Sequence, residues 1–283
     1  MQQSTMAMPC NYTGMMDMSG DIGKFGIIDF DWSNGKAQWA NTAPMSSEEL
    51  LVTQAIARKN AICPTTCPLP NGCPNKEACP QAKTWVYRNF VKALPWYTSV
   101  REKLEDPQYA GWFLKFDPDN TTAYNVPQCD DNFEPSKCTE FYHDQEQSPE
   151  YHGSSISSGI CEEPCDCGSV PCGEYLFDHR NASLTKWLVE EYTGGLTGLA
   201  NPNIDGFFID DKWSGSGPSE EDRQCVEDMG LSPDEVADIT AGWKNNMVEV
   251  KEFILKNNGF NWQMLDVGSS TAAGPPFTQE TCN

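Results

Sequence analysis

The chain is poor in cations, has only three histidines and contains no long apolar run. Lys and Arg total 19 against 41 Asp and Glu, a formal net charge of −22. That balance argues against nucleic acid or an anionic membrane surface as a partner, and suits a neutral or cationic ligand. No uninterrupted apolar stretch reaches the roughly 18 residues of a spanning helix, so no membrane span is expected. Met1 leads into a polar segment and not into the apolar centre of a signal peptide, which fits a mature or trimmed form. Neither Gly-x-Gly-x-x-Gly nor Gly-x4-Gly-Lys-Ser/Thr occurs, so no nucleotide cofactor is expected. With no His cluster and no paired Cys-x2-Cys spacing, zinc is not expected either.

What the chain does contain is acid, cysteine and aromatic surface. Its 283 residues suit one barrel-sized domain, and 39% hydrophobic with 11% aromatic residues is enough for a core. Thirteen cysteines point to an oxidising compartment. Cys63, Cys67, Cys73 and Cys79 form one group, and Cys161, Cys165, Cys167 and Cys172 another, both in Pro/Gly/Asn-rich polar stretches. There disulfides stand in for a missing core. An odd count leaves at least one cysteine without an internal partner. Three Asn-x-Ser/Thr sequons, at Asn11, Asn120 and Asn181, fit N-glycans on a secreted, extracellular protein.

The organising stretch runs from Asn203 to Trp213. Gly206 to Ile209 is a short continuous apolar run, the pattern of a strand covered on both faces in a parallel sheet. It stops on Asp210 and Asp211, and Ser214 to Pro218 can only be loop. Side chains alternate along a strand, so only one of the two carboxylates faces the interior if the extended geometry continues. The pattern recurs. Phe25 to Ile28 leads to Asp29, Asp31 and Trp32, and Glu174 to Phe177 leads to Asp178, His179 and Arg180. Thr84 to Tyr87 leads to Arg88 and Asn89, and Asn261 to Leu265 leads to Asp266. Charged groups gathered at strand C-terminal ends are where a parallel barrel carries its chemistry. Asp29, Asp31, Asp178, Asp210 and Asp266 are therefore expected on one rim.

Helices alternate with these strands. Ser46-x-x-Glu49 is a capping box, Thr98 to Leu104 a short helix, and Ser183 a cap for the helix bearing Trp187 and Tyr192. Ser232-Pro233-Asp234-Glu235 opens a helix whose Val236, Ile239, Trp243, Met247, Val250 and Ile254 share a face. Ser4 to Pro9 and Gly111 to Phe116 are further strand candidates. Alternating strands and helices predict a parallel α/β architecture. The expectation is a single domain over residues 1–283: a (β/α)8 TIM barrel or an incomplete variant. Cys-rich, disulfide-stapled insertions interrupt it at about 61–82 and 117–172, the second holding His143 and His152.

The segment Tyr175-Leu176-Phe177-Asp178-His179-Arg180-Asn181, with Leu184 and Trp187-Leu188, is followed by Asp205-Gly206-Phe207-Phe208-Ile209-Asp210-Asp211. Together they resemble the glycoside-hydrolase-like TIM-barrel family, with Gly26 to Trp32 and Thr84 to Asn89 matching loosely. The resemblance implies a (β/α)8 barrel acting on carbohydrate, with Asp210 as nucleophile or base. No Glu follows a candidate strand, so the acid must be sought among aspartates. Glycoside hydrolysis needs two carboxyls, one protonated and one ionised, and crowded aspartates can have their pKa values driven apart. Asp211 and Asp178 are the further catalytic candidates. Asp29, Asp31 and Asp266 are expected at the substrate, with Arg88 and Arg180 hydrogen-bonding hydroxyls or carboxylates and Trp32 and Trp213 stacking on sugar rings. Two other readings stay open: a non-catalytic carbohydrate-binding or structural glycoprotein, and a hydrolase in which Asp29, Asp31, Asp210 and Asp211 hold Ca²⁺ or Mg²⁺ through oxygen.

Overall fold

The computed structural model describes residues 6–8, 11, 13–17, 25–62, 83–115, 139–144, 166–213 and 229–263. Its centre is strand β3, Lys83–Asn89, whose last six residues are all buried. A strand buried on both faces must be flanked on both sides, and β3 is. On one side lie β2 (Ile27–Phe30) and then the short β1 (Met6–Ala7); on the other lie β7 (Gly206–Asp210) and β8 (Phe260–Gln263). All four pairings are parallel. Gly206 allows β7 and β8 to pair closely, since a Cβ there would meet the Phe260 carbonyl and crowd the Trp85 indole.

Helices fill the crossovers from β2 to β3 and from β7 to β8, as is usual for parallel pairing. Between β2 and β3 the chain forms α1 (Lys36–Trp39) and α2 (Ser47–Ile62). Between β7 and β8 it forms α5, Pro233–Lys256, opened by the expected capping box between Ser232 and Glu235. The helix α4, Ala182–Trp187, is capped by Asn181, which accepts the Ser183 N–H, and not by Ser183 as the sequence suggested. It continues through Leu188–Thr193 with wider π spacing.

The barrel expectation is overturned, in its closed and its incomplete form. Among the described residues the parallel strands number five, in an open sheet. Glu174 to Asp178, expected as a barrel strand, is antiparallel: β6 (Glu174–Leu176) lies between β4 (Lys92–Ala93) and β5 (His143–Asp144) in a second, three-stranded sheet. Phe113 and Lys115 add antiparallel bridges to Phe177 and Phe141. The first two residues of the expected strand Gly111 to Phe116 belong instead to a 3-10 turn, Pro107–Trp112, capped by Asp106, with α3 (Thr98–Glu105) before it. A short apolar run has the same composition in either kind of sheet, and only its non-local partner decides the direction.

Two buried ion pairs fasten α2 to the sheet. Lys59 Nζ of α2 lies 2.5 Å from Asp205 Oδ2, both side chains 1% exposed, and the same oxygen accepts the Thr84 N–H at 3.0 Å. Arg88 meets Glu48 at 3.3 Å and donates to the carbonyls of Tyr87, Tyr192 and Thr197. Cys167 and Cys172 form a disulfide just before β6, inside the second Cys-rich segment. The other cysteines, and the loop from Cys63 to Cys79, lie outside the described residues. No helix of the described residues is long and apolar enough to cross a membrane.

These ion pairs give a direct stability test. Lys59→Met strands a buried carboxylate and should cost about 3–5 kcal/mol in denaturant unfolding, as should Asp205→Ala. The double variant should cost clearly less than the sum. Additive losses would show that the two side chains do not act as a pair.

Candidate functional site

Register decides which strand residues face each other. Asp29 is paired with Trp85, Trp85 with Gly206, Tyr87 with Phe208, and Asn89 with Asp210. Paired residues share a face of a sheet, and alternate residues along a strand do too. Asp29, Trp85, Tyr87, Asn89, Phe208 and Asp210 therefore line one face. Ile28, Val86, Arg88, Phe207 and Ile209 line the other, where α2 and the helical segment after α4 pack.

At the C-terminal end of the first face four polar groups interlock. Tyr87 Oη donates to Asp210 Oδ2 at 3.0 Å. Asn89 Nδ2 donates to Tyr87 Oη at 3.0 Å and to Asp211 Oδ2 at 2.6 Å. The Asp211 N–H closes on Asp210 Oδ1 at 3.0 Å. Asp211 has φ 59°, in the left-handed region, so the strand does not continue through it. That corrects the expectation that Asp210 and Asp211 diverge to opposite faces: the backbone turns, and Asn89 and Tyr87 tie both carboxylates into one network. Strain of this kind in a non-glycine residue collects at functional sites.

Asp29 lies deeper, 0% exposed, with neither carboxylate oxygen hydrogen-bonded among the described residues. Its pKa stands well above the ordinary carboxylate value, first through burial, then through the charge of Asp31; the Phe208 backbone opposes the shift without satisfying either oxygen. Asp31 is half-buried, and both its hydrogen bonds, from the Ser33 N–H at 2.8 Å and Oγ at 2.5 Å, fall on Oδ1. Burial raises its pKa against those bonds. Asp210 is also half-buried and raised, by burial and then by Asp211, while Tyr87 and the Asp211 amide stabilise its ionised form. The Tyr87 hydroxyl, buried beside Asp210, Asp211 and Asp31, is held protonated and stays a donor. Four carboxyls within electrostatic reach, in unlike surroundings, are what acid–base chemistry uses. Among the described residues no group of three or more His, Cys, Asp and Glu has metal-holding geometry.

The other expected site residues fall elsewhere. Asp178 follows the antiparallel sheet and is ion-paired with Arg180 at 2.7 Å, and Arg180 also reaches Glu235 at 3.2 Å. Arg88 points away from the carboxylates into the helical layer. Trp213 is 1% exposed, which removes it as a stacking platform. Trp32 is half-buried against Trp39 and Trp96, with Lys36 Nζ 4.5 Å from its ring centre. Asp266 lies outside the described residues, as do His152 and Asn120. His143 is buried under Tyr175 and His179 between the Phe90 carbonyl and Asn246, far from aqueous chemistry. The sequence pattern marks Asn89 at its strand end without giving it a role, and does not single out Tyr87. Strand parity was the available signal, because residues 85, 87 and 89 must share a face and Arg88 must oppose it. No family model matches the chain, and no curated protein matches it.

Asp29 generates a prediction with a definite sign. Its folded pKa is raised, so stability is unaffected below the unfolded value near 3.8 and is lost as pH rises toward the folded value. Asp29→Asn, which mimics the protonated group, should unfold at a higher temperature than the wild type at pH 7 and should flatten the decline above pH 4. A lower melting temperature at pH 7 would mean that the ionised carboxylate is stabilised in the fold.

Proposed function

We propose that the chain is a secreted glycoside hydrolase acting on a neutral carbohydrate, with Asp31 as acid and Asp210 as nucleophile or base. The observation that carries this reading is the unlike pair of half-buried carboxyls at the ends of β2 and β7, one strand apart. Asp210 has a donor on each oxygen, Tyr87 on one and the Asp211 amide on the other, which favours the charged form a nucleophile or base needs. Burial raises both carboxyls, but both Ser33 donors of Asp31 fall on Oδ1, which leaves Oδ2 to carry the proton an acid needs. In glycoside cleavage the acid gives its proton to the leaving glycosidic oxygen as the anomeric C–O bond breaks. The second carboxylate attacks the anomeric carbon, or removes a proton from the water that does.

Asp211 is 8% exposed and bonded to Asn89, so it supports Asp210 and does not touch substrate. The net charge of −22 is compatible with an uncharged sugar and repels a polyanion. Secretion rests on the cysteine content and on the sequons. At Asn11 both the Thr13 N–H and its hydroxyl already bond the Asn11 amide oxygen, and Asn181 serves as a helix cap.

A glycan panel tests the reading with Asp210→Asn and Asp31→Asn. Cleavage by the wild type should fall by ~10³-fold or more in Asp210→Asn, with the fold unchanged by circular dichroism. Asp31→Asn should lose most on substrates with poor leaving groups. Undiminished turnover by Asp210→Asn would remove Asp210 from the chemistry. Binding without cleavage by the wild type would favour a carbohydrate-binding protein over an enzyme.

A further inference from the structure

Lys92 brings a cation to Asp211 from outside the parallel sheet. Lys92 stands at the start of β4, and its backbone N–H donates to Asn89 Oδ1 at 2.7 Å. Its side chain, 18% exposed, places Nζ 2.9 Å from Glu174 Oε2 of β6 and 3.7 Å from Asp211 Oδ2. Asp211 Oδ2 thus faces both the Asn89 amide and an ammonium. Two carboxylates adjacent in the chain, both largely shielded from water, repel each other, and without a nearby positive charge one of them takes up a proton. Tyr87 and Asn89 orient the pair but are neutral, so they cannot cancel that repulsion.

We propose that Lys92 is a positioning residue: the cation that allows Asp210 and Asp211 to be ionised together, delivered by the antiparallel sheet and aimed by Glu174. The assignment rests on Asp210 as the working carboxylate and not on the identity of the sugar. The groups facing the pair are Lys92 and Glu174 from the second sheet, Tyr87 and Asn89 from β3, Asp29 of β2 and Asp31 after it; Lys212 is next in the chain. Glu174 moderates the effect, because it shares the Lys92 charge. Lys92 and Glu174 should therefore act on Asp211 with opposite signs.

That opposition is the test. Aspartate carboxyl carbons are followed by NMR through a pH titration, which needs no substrate and so stands apart from the hydrolase reading. In Lys92→Met one of the Asp210–Asp211 pair should titrate about one pH unit higher, a tenfold change in proton affinity. Lys92→Arg should restore most of the difference. Glu174→Gln should move the titration the other way. If cleavage is measurable, the acid limb of kcat/KM should follow the same shifts while the high-pH plateau stays. A folded Lys92→Met with wild-type titration would reduce Lys92 to a tether between the sheets. Should Lys92→Met not fold, Glu174→Gln decides alone: an unchanged or upward titration overturns the proposal.

Discussion

The structure depends on how Asn89 uses its side chain. Its amide oxygen accepts the N–H groups of Val91 and Lys92, and its amide nitrogen donates to Tyr87 and Asp211. Its backbone carbonyl accepts the Tyr192 hydroxyl. An amide has two donor hydrogens and two acceptor lone pairs, and here all four are used. The oxygen side turns the chain from β3 into β4 and so begins the second sheet. The nitrogen side fixes the carboxylates. One buried group thereby couples where the parallel sheet ends to where the charges sit, and neither function can shift without the other. Asp and Leu are close to Asn in size but cannot replace it: Asp would lose both donations and add a negative charge, and Leu would leave the Val91 and Lys92 N–H groups without this acceptor and remove a donor from Tyr87 and Asp211.

Strand β3 extends that logic to the whole molecule. Alternation sends Tyr87 and Asn89 to the carboxylates and Arg88 to the helices, where its guanidinium lies over the rings of Tyr192 and Phe207 and pairs with Glu48. Sequence reading chose Arg88 as the ligand-facing residue because charge at a strand end attracts attention. Parity overrules charge, since a one-residue step along a strand reverses the face. Asp210 was legible because it closes an apolar run. Asp31 and Asp29 were legible for the same reason, but not their difference in depth, which the packing of neighbouring strands decides. Trp32 and Trp213 could not be told from core residues, because a tryptophan that stacks on sugar and one that fills a core have the same local sequence.

The fold was legible as far as local signals reach. The capping box at Ser232, the apolar stripe of α5 and the strands β2, β3 and β7 all lie where periodicity places them. The direction of Glu174–Leu176 was not legible. It is set by the Asn89 turn, which lays Lys92–Ala93 alongside it, and by the neighbouring Phe113–Phe177 bridge. A barrel needs each strand to meet the next in parallel, whereas here the chain leaves the parallel sheet after β3 and Lys92–Ala93 pairs antiparallel with β6.

The placement of cations separates structural acids from chemical ones. In a chain with 19 Lys and Arg against 41 Asp and Glu, a positive charge beside a buried carboxylate is scarce. Asp205 is paired with Lys59 and approached by Lys83, Glu48 with Arg88, and Asp178 with Arg180. The pairs of Asp205 and Glu48 tie α2 to the sheet, and Arg180 links the turn after β6 to Glu235 of α5. Asp210, by contrast, is held by a hydroxyl and an amide, Asp31 by the Ser33 amide and hydroxyl with Lys36 acting at longer range, and Asp29 by no hydrogen bond among the described residues. Structure alone does not explain that choice, because a neutral side chain of similar size at position 29 would fold at lower cost. Buried carboxyls gathered at one strand end reduce stability, and such losses persist where a site requires them. The same reasoning explains why Asp211 stands apart from its neighbour. It alone of the four lies near Lys92, so its charge is compensated, and it can hold the turn while Asp210 keeps the raised proton affinity that reactive carboxyls share.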